Sequence, residues 1–177
     1  MRITKSLALL AAGVMAVGAT GAAAATASAD VPGLAVTQIG YNARGADNYW
    51  NRNKEYVDIT ASASVNVKGL RLDDQWAKTH AGDDRACNTF TVTSLPGVEA
   101  GADGAVVLPA GHWIRVHSGA GVPSVSDGGK RHNVYMDSKC GWKGHIWGNL
   151  GDSAWITLGE DSESATYDFE AGYTVKP

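Results

Sequence analysis

The feature that most constrains this chain is a set of short runs in which apolar side chains recur at every second position, with Gly, Asn, Asp and Pro between the runs. Val57 and Ile59 alternate with Tyr56 and Asp58. Ile114 and Val116 alternate with Trp113, Arg115 and His117, and Ala154, Ile156 and Leu158 with Ser153, Trp155 and Thr157. Successive side chains of a strand point to opposite faces, so each run can bury one face and wet the other. Further runs cover 34–41, 89–95, 105–108 and 165–169, and no helical segment of ten or more residues intervenes. The pattern predicts an all-β fold, an antiparallel sandwich of about seven to eight strands. Its shared interior is Val57, Ile59, Leu70, Leu72, Ile114, Val116, Ile156 and Leu158, while outward Asp58 and Arg115 matter much less. Between 65 and 72 the apolar set switches from odd to even positions at Lys68-Gly69, which predicts a bulge or tight corner at Gly69. Two long connections, 42–53 and 118–146, join the runs.

The first 29 residues stand apart from this pattern. Arg2 and Lys5 precede an apolar stretch rich in Ala and Gly, and Ala27-Ser28-Ala29 ends it with small residues. This is the form of a secretory signal cleaved near Ala29. A membrane anchor would need about twenty strongly apolar residues. The expected mature chain, 30–177, is one secreted, soluble domain with no stable membrane anchor. It keeps 13 Lys and Arg against 18 Asp and Glu, a net charge of −5 that argues against a general polyanion binder. Cys87 and Cys140 are its two cysteines. In an oxidising compartment the simplest expectation is a disulfide between them.

No Gly-x-Ser-x-Gly elbow, phosphate loop or His-Glu-x-x-His segment is present, so no catalytic residue and no cofactor is assigned. Gly151-Asp152-Ser153 has the look of an esterase nucleophile block, but no His follows His145. The pairs Asp73-Asp74 and Asp83-Asp84 read as turn residues that cap backbone amides. His112 and His117 lie five apart, on opposite faces of one strand, and cannot share a metal. Asp83 and Asp84, or Asp161 and Glu163, could supply oxygen ligands to Ca²⁺, with an acidic surface turn as the alternative. No metal site is assigned.

The long connection 118–146 is locally basic and aromatic. Lys130, Arg131, Lys139, Trp142 and Lys143 lie within it, and outward Trp113 and Trp155 could extend a stacking platform. The alternative is structural: Trp142 and Trp147 anchor the connection, and Trp113 and Trp155 form a cross-strand pair.

Six phrases in order carry a resemblance: Val36-Thr37-Gln38-Ile39-Gly40-Tyr41-Asn42; Glu55-Tyr56-Val57-Asp58-Ile59; Lys68-Gly69-Leu70-Arg71-Leu72-Asp73-Asp74; Leu108-Pro109-Ala110-Gly111; Arg115-Val116-His117-Ser118-Gly119; and Trp147-Gly148-Asn149 with Gly151-Asp152. Together they resemble a lamin tail domain of the bacterial secreted type. The resemblance implies an immunoglobulin-like sandwich and a non-catalytic binding or scaffolding role, with no catalytic residues to carry over. Two departures are the enlarged segment holding Cys140 and the lengthened strand at Trp155-Ile156. The partners open to such a module are another secreted protein, cell-wall polysaccharide or extracellular nucleic acid. A small hydrolase remains the competing class, and a buried His with a carboxylate partner near Ser or Cys would favour it.

Overall fold

The computed structural model describes residues 30–42, 46–80, 87–140, 144–168 and 174–176, and the structure is all-β. Its strands are β1 (Leu34–Gly40), β2 (Tyr56–Ala61), β3 (Val65–Asn66), β4 (Arg71–Asp73), β5 (Thr89–Thr91), β6 (Val107–Leu108), β7 (Trp113–His117), β8 (Ser124–Ser126), β9 (Arg131–Tyr135), β10 (Gly151–Leu158), β11 (Asp161–Asp168) and β12 (Thr174–Val175). One short helix, α1 (Gln75–Thr79), follows β4, and Asp74 caps it by accepting the Ala77 N–H at 2.6 Å. The signal segment 1–29 and Asp83-Asp84 lie outside the described residues. No helix among the described residues is long and apolar enough to cross a membrane.

Two sheets form the sandwich. One runs β12-β1-β2-β7-β9-β8, the other β11-β10-β4-β5, and β3 pairs with β6 as a separate ribbon. The alternating runs pack between the sheets: Val57, Ile59, Leu70, Leu72, Ile114, Val116 and Ile156 are each at most 1 % exposed. Leu158 is only partly buried, because it ends β10 beside the Gly159-Glu160 hairpin turn. Gly159 there has φ 64°, the sign that a two-residue hairpin turn asks for. The predicted corner at Gly69 is present, with φ 84°, and it divides 65–72 between the ribbon and the four-stranded sheet.

The strand count exceeds the expected seven or eight, and the excess has two sources. Several elements are only two or three residues long. The expected connection 118–146 also contains β8 and β9, whose Arg131-His132-Asn133-Val134-Tyr135 run carries only one aliphatic residue. β9 pairs parallel with β7 in register Trp113 with Arg131 through His117 with Tyr135, and β8 covers its other edge antiparallel. The segment 118–123 therefore steps over the β9 position, about 10 Å at ordinary strand spacing, before the chain returns through β9. Gly121 lies where that step passes the Tyr135 ring, and a Cβ there would overlap the ring.

Candidate binding face

Three strands, β2, β7 and β9, present their outward residues on one surface of the six-stranded sheet. Pairing aligns them in rows: Tyr56, His117 and Tyr135; Asp58, Arg115 and Asn133; Thr60, Trp113 and Arg131. Each row is outward because its strand neighbours, Val57, Ile59, Ile114, Val116 and Val134, fill the core.

The first row is a cross-strand stack. The His117 and Tyr135 rings lie 4.8 Å apart with planes 14° from parallel, and Tyr56 tilts against His117 at 6.1 Å. A separation equal to the strand spacing means that the rings stand upright and show their edges to solvent. Glycines bound both ends: a Cβ on Gly40 would come within 2.6 Å of the Tyr56 ring, as one on Gly121 would crowd Tyr135. His117 Nδ1 donates to the Asn53 carbonyl oxygen at 2.8 Å. Burial pushes the His117 pKa down and the Tyr56 pKa up.

The second row is an ion pair. Arg115 grips Asp58 with two bonds, Nε to Oδ1 at 2.7 Å and Nη2 to Oδ2 at 2.6 Å, and its guanidinium lies 3.7 Å from the Tyr56 ring centroid. Burial alone would lower the Arg115 pKa, but the Asp58 carboxylate raises it above its ordinary value. This corrects the expectation for Asp58 and Arg115 as minor outward residues: Asp58 is only 5 % exposed because Arg115 lies across it. Asn133 beside them donates to Ser126 Oγ at 3.0 Å.

The third row brings together part of the basic and aromatic set. Trp113 is half-buried beside Arg131 and donates its backbone N–H to the Lys130 carbonyl at 3.0 Å. Arg131 is held by Ser126 Oγ at 2.8 Å and by Asp127 at 3.2 Å. Lys130 is exposed at the rim. Lys139 lies further along the chain and pairs with Asp137 at 3.5 Å, while Trp142 and Lys143 lie outside the described residues. Trp113 and Trp155 are not a cross-strand pair. β7 belongs to the six-stranded sheet and β10 to the four-stranded one, and both indoles point outward, to opposite faces of the sandwich. Trp147 is buried in the core. The Cys87–Cys140 disulfide is present, with Cα atoms 5.4 Å apart.

The arrangement that a hydrolase would favour also exists in part. His145 Nδ1 meets Glu55 Oε1 at 2.6 Å, and Ser118 lies beside them. Yet Ser118 Oγ donates to Glu55 Oε2 at 3.3 Å rather than to the imidazole, and the serine is wholly buried. His145 Nε2 is directed to the Asn48 carbonyl at 3.0 Å. The cluster holds the 144–147 segment, whose Ile146 N–H also binds Glu55 at 3.1 Å.

Among the described residues no group of three or more His, Cys, Asp or Glu side chains is placed to hold a metal. Glu163 instead accepts a backbone N–H from Val36, and the Asp73-Asp74 pair is spent on Arg71, Thr89, Ala77 and Asn88. His112 Nδ1 and His132 Nε2 lie 3.2 Å apart, with His132 Nδ1 donating to the Pro96 carbonyl, which makes a simple imidazole-to-imidazole bridge.

Sequence reasoning identified Trp113, Lys130 and Arg131 but missed Tyr56, His117, Asn133 and Tyr135. The alternation of Arg131, Asn133 and Tyr135 against His132 and Val134 was the available signal for β9. No known protein family, curated protein or solved structure matches this chain.

Proposed function

We propose that this chain is an exported, non-catalytic binding module whose ligand, a neutral hydroxyl-rich polymer such as a cell-wall polysaccharide, lies on the outer face of the six-stranded sheet. One observation carries the reading: apart from Lys130 at the rim, the charges of that face are paired within it, Asp58 with Arg115 and Asp127 with Arg131, while an indole and two phenols remain at the surface. Paired charges offer little to a polyanion but present fixed donors and acceptors. Half-exposed aromatic rings supply apolar area at small entropic cost. A rigid sheet keeps these groups in place before the ligand arrives.

The lamin-tail reading, with its immunoglobulin-like arrangement, belongs to the same proposal. It rests on the ordered phrases from Val36 to Asp152, and it fits a scaffold that binds rather than reacts. Export is supported by the form of residues 1–29 and by the disulfide.

The test is affinity electrophoresis through gels containing a soluble neutral β-glucan or glucomannan, beside binding to double-stranded DNA, at low and high salt. The expected result is retardation by neutral polysaccharide that salt leaves unchanged and that Trp113→Ala reduces by about half or more. Steeply salt-dependent binding to DNA alone would point to the polyanion reading instead. Failure to bind any neutral polysaccharide would sink the proposal.

A further inference from the structure

The outer face of the four-stranded sheet carries the same combination of groups. Trp155 is half-buried at its centre, opposite Ser164 on β11 and Asp73 on β4. Arg71 holds the buried Asp73 through Nε at 2.8 Å and Nη2 at 2.6 Å, both donating to Oδ2, an Arg–Asp pair on the same face as an indole. Thr89 completes the row by donating to Asp73 Oδ1 at 2.6 Å. The Trp155 ring is braced by Lys78, 4.9 Å from its centroid, and its Nε1 donates to Gln75 at 3.3 Å.

Resting on the function proposed above, we infer that this face is a second site for the same class of neutral polysaccharide, so that one molecule bridges two chains of polymer. The argument is chemical and geometric. Each face sets one half-exposed tryptophan beside a self-neutralised Arg–Asp pair, which orients hydrogen bonds without attracting charge. On the neighbouring strand β11 the exposed Ser164 and Thr166 hydroxyls can both donate and accept, as a sugar hydroxyl requires. The sheets lie back to back around one core, so the two sites look in opposite directions and cannot serve the same stretch of polymer. Four strands span about 14 Å, room for a few sugar residues. Two weak sites on one rigid body then act through effective concentration, and a polymer network forms where single-site binding would leave free chains.

The experiment measures two quantities with the full chain and a soluble β-glucan or glucomannan: binding by affinity electrophoresis, and cross-linking by light scattering as protein is added. Wild type is expected to bind and to raise scattering to a maximum that excess protein dissolves. Trp113→Ala and Trp155→Ala should each keep measurable binding, lose the scattering maximum and halve the sites per chain, and the double variant should lose binding. Ser164→Glu, which sets a charge on the exposed neighbour of Trp155 without touching the core, should reproduce the Trp155→Ala loss and guards against misfolding of the tryptophan variant. If wild type binds with one site per chain, or if Trp155→Ala and Ser164→Glu both leave scattering intact, the second site is refuted while the first stands. If wild type does not bind at all, the function proposed above fails first and the bridge with it.

Discussion

Glu55 Oε1 and His145 Nδ1 meet at 2.6 Å in the interior, joining residues 90 apart in sequence. Because His145 Nε2 faces a carbonyl oxygen, that nitrogen carries its hydrogen. The carboxyl is enclosed, with the Glu55 side chain 1 % exposed. Burial accordingly pushes the Glu55 pKa up to about 7, against the lowering effect of the His145 and backbone bonds.

The sign of the pH dependence follows. A carboxyl raised from 4.5 to about 7 keeps its proton in the folded state where the unfolded chain has lost it, so its contribution to stability falls as pH rises through that window. Asp74, pushed up to about 6 mainly by burial, and Asp152, also raised by burial, act in the same direction. These carboxyls pull urea midpoints down between pH 5 and pH 7, and outnumber the His117 imidazole, whose lowered pKa acts the other way below pH 6.5. Glu55→Gln, which keeps the shape and the hydrogen bond to His145, should flatten this decline; an unchanged slope would remove Glu55 from the account.

Arg115→Ala should destabilise the protein by on the order of 1–2 kcal/mol, since it removes both hydrogen bonds to Asp58 and the contact with the Tyr56 ring while opening the carboxylate to water. The double variant Asp58→Ala, Arg115→Ala should cost less than the sum of the two single changes. A double-mutant cycle by chemical denaturation measures the difference, and additive effects would show that the pair is not coupled.

Ile156→Ala, at a fully buried position, should cost about 2–5 kcal/mol. Leu158→Ala, two residues along the same face but only partly buried, should cost about 1 kcal/mol. Equal losses would mean that the end of β10 is packed as tightly as its centre.

Gly40→Ala should move the Tyr56 ring and perturb its stack with His117, at an overpacking cost of about 1–2 kcal/mol. The tyrosine near-ultraviolet circular dichroism and the His117 imidazole proton shifts report the change. If both signals match wild type, the glycine is not what admits the ring.

Reduction of Cys87–Cys140 reopens a loop of about 54 residues and should lower stability by about 4 kcal/mol on the chain-entropy estimate. The denatured, unreduced protein should show no reactive thiol in a titration, and two thiols per chain would contradict the bond.

Much of this protein was legible one strand at a time. Alternation assigns a side chain to the inside or the outside of its own strand, and it did so for Ile114 against Trp113 and for Ile156 against Trp155. A break in that alternation marked Gly69, and two cysteines in an expected oxidising compartment left a single simple pairing. Periodicity carries no information about which strand lies alongside, because any strand can satisfy a neighbour's backbone hydrogen bonds. Only the tertiary structure decided that β9 enters the sheet parallel to β7, which sets Arg131 beside Trp113 and Tyr135 beside His117. It also decided that Trp113 and Trp155 face away from each other, and that Arg115 covers Asp58 from the adjacent strand. These are relations between residues far apart in the chain, settled by the packing of two sheets around one core, where burial on one side compels the polar groups on the other to find their partners across strands.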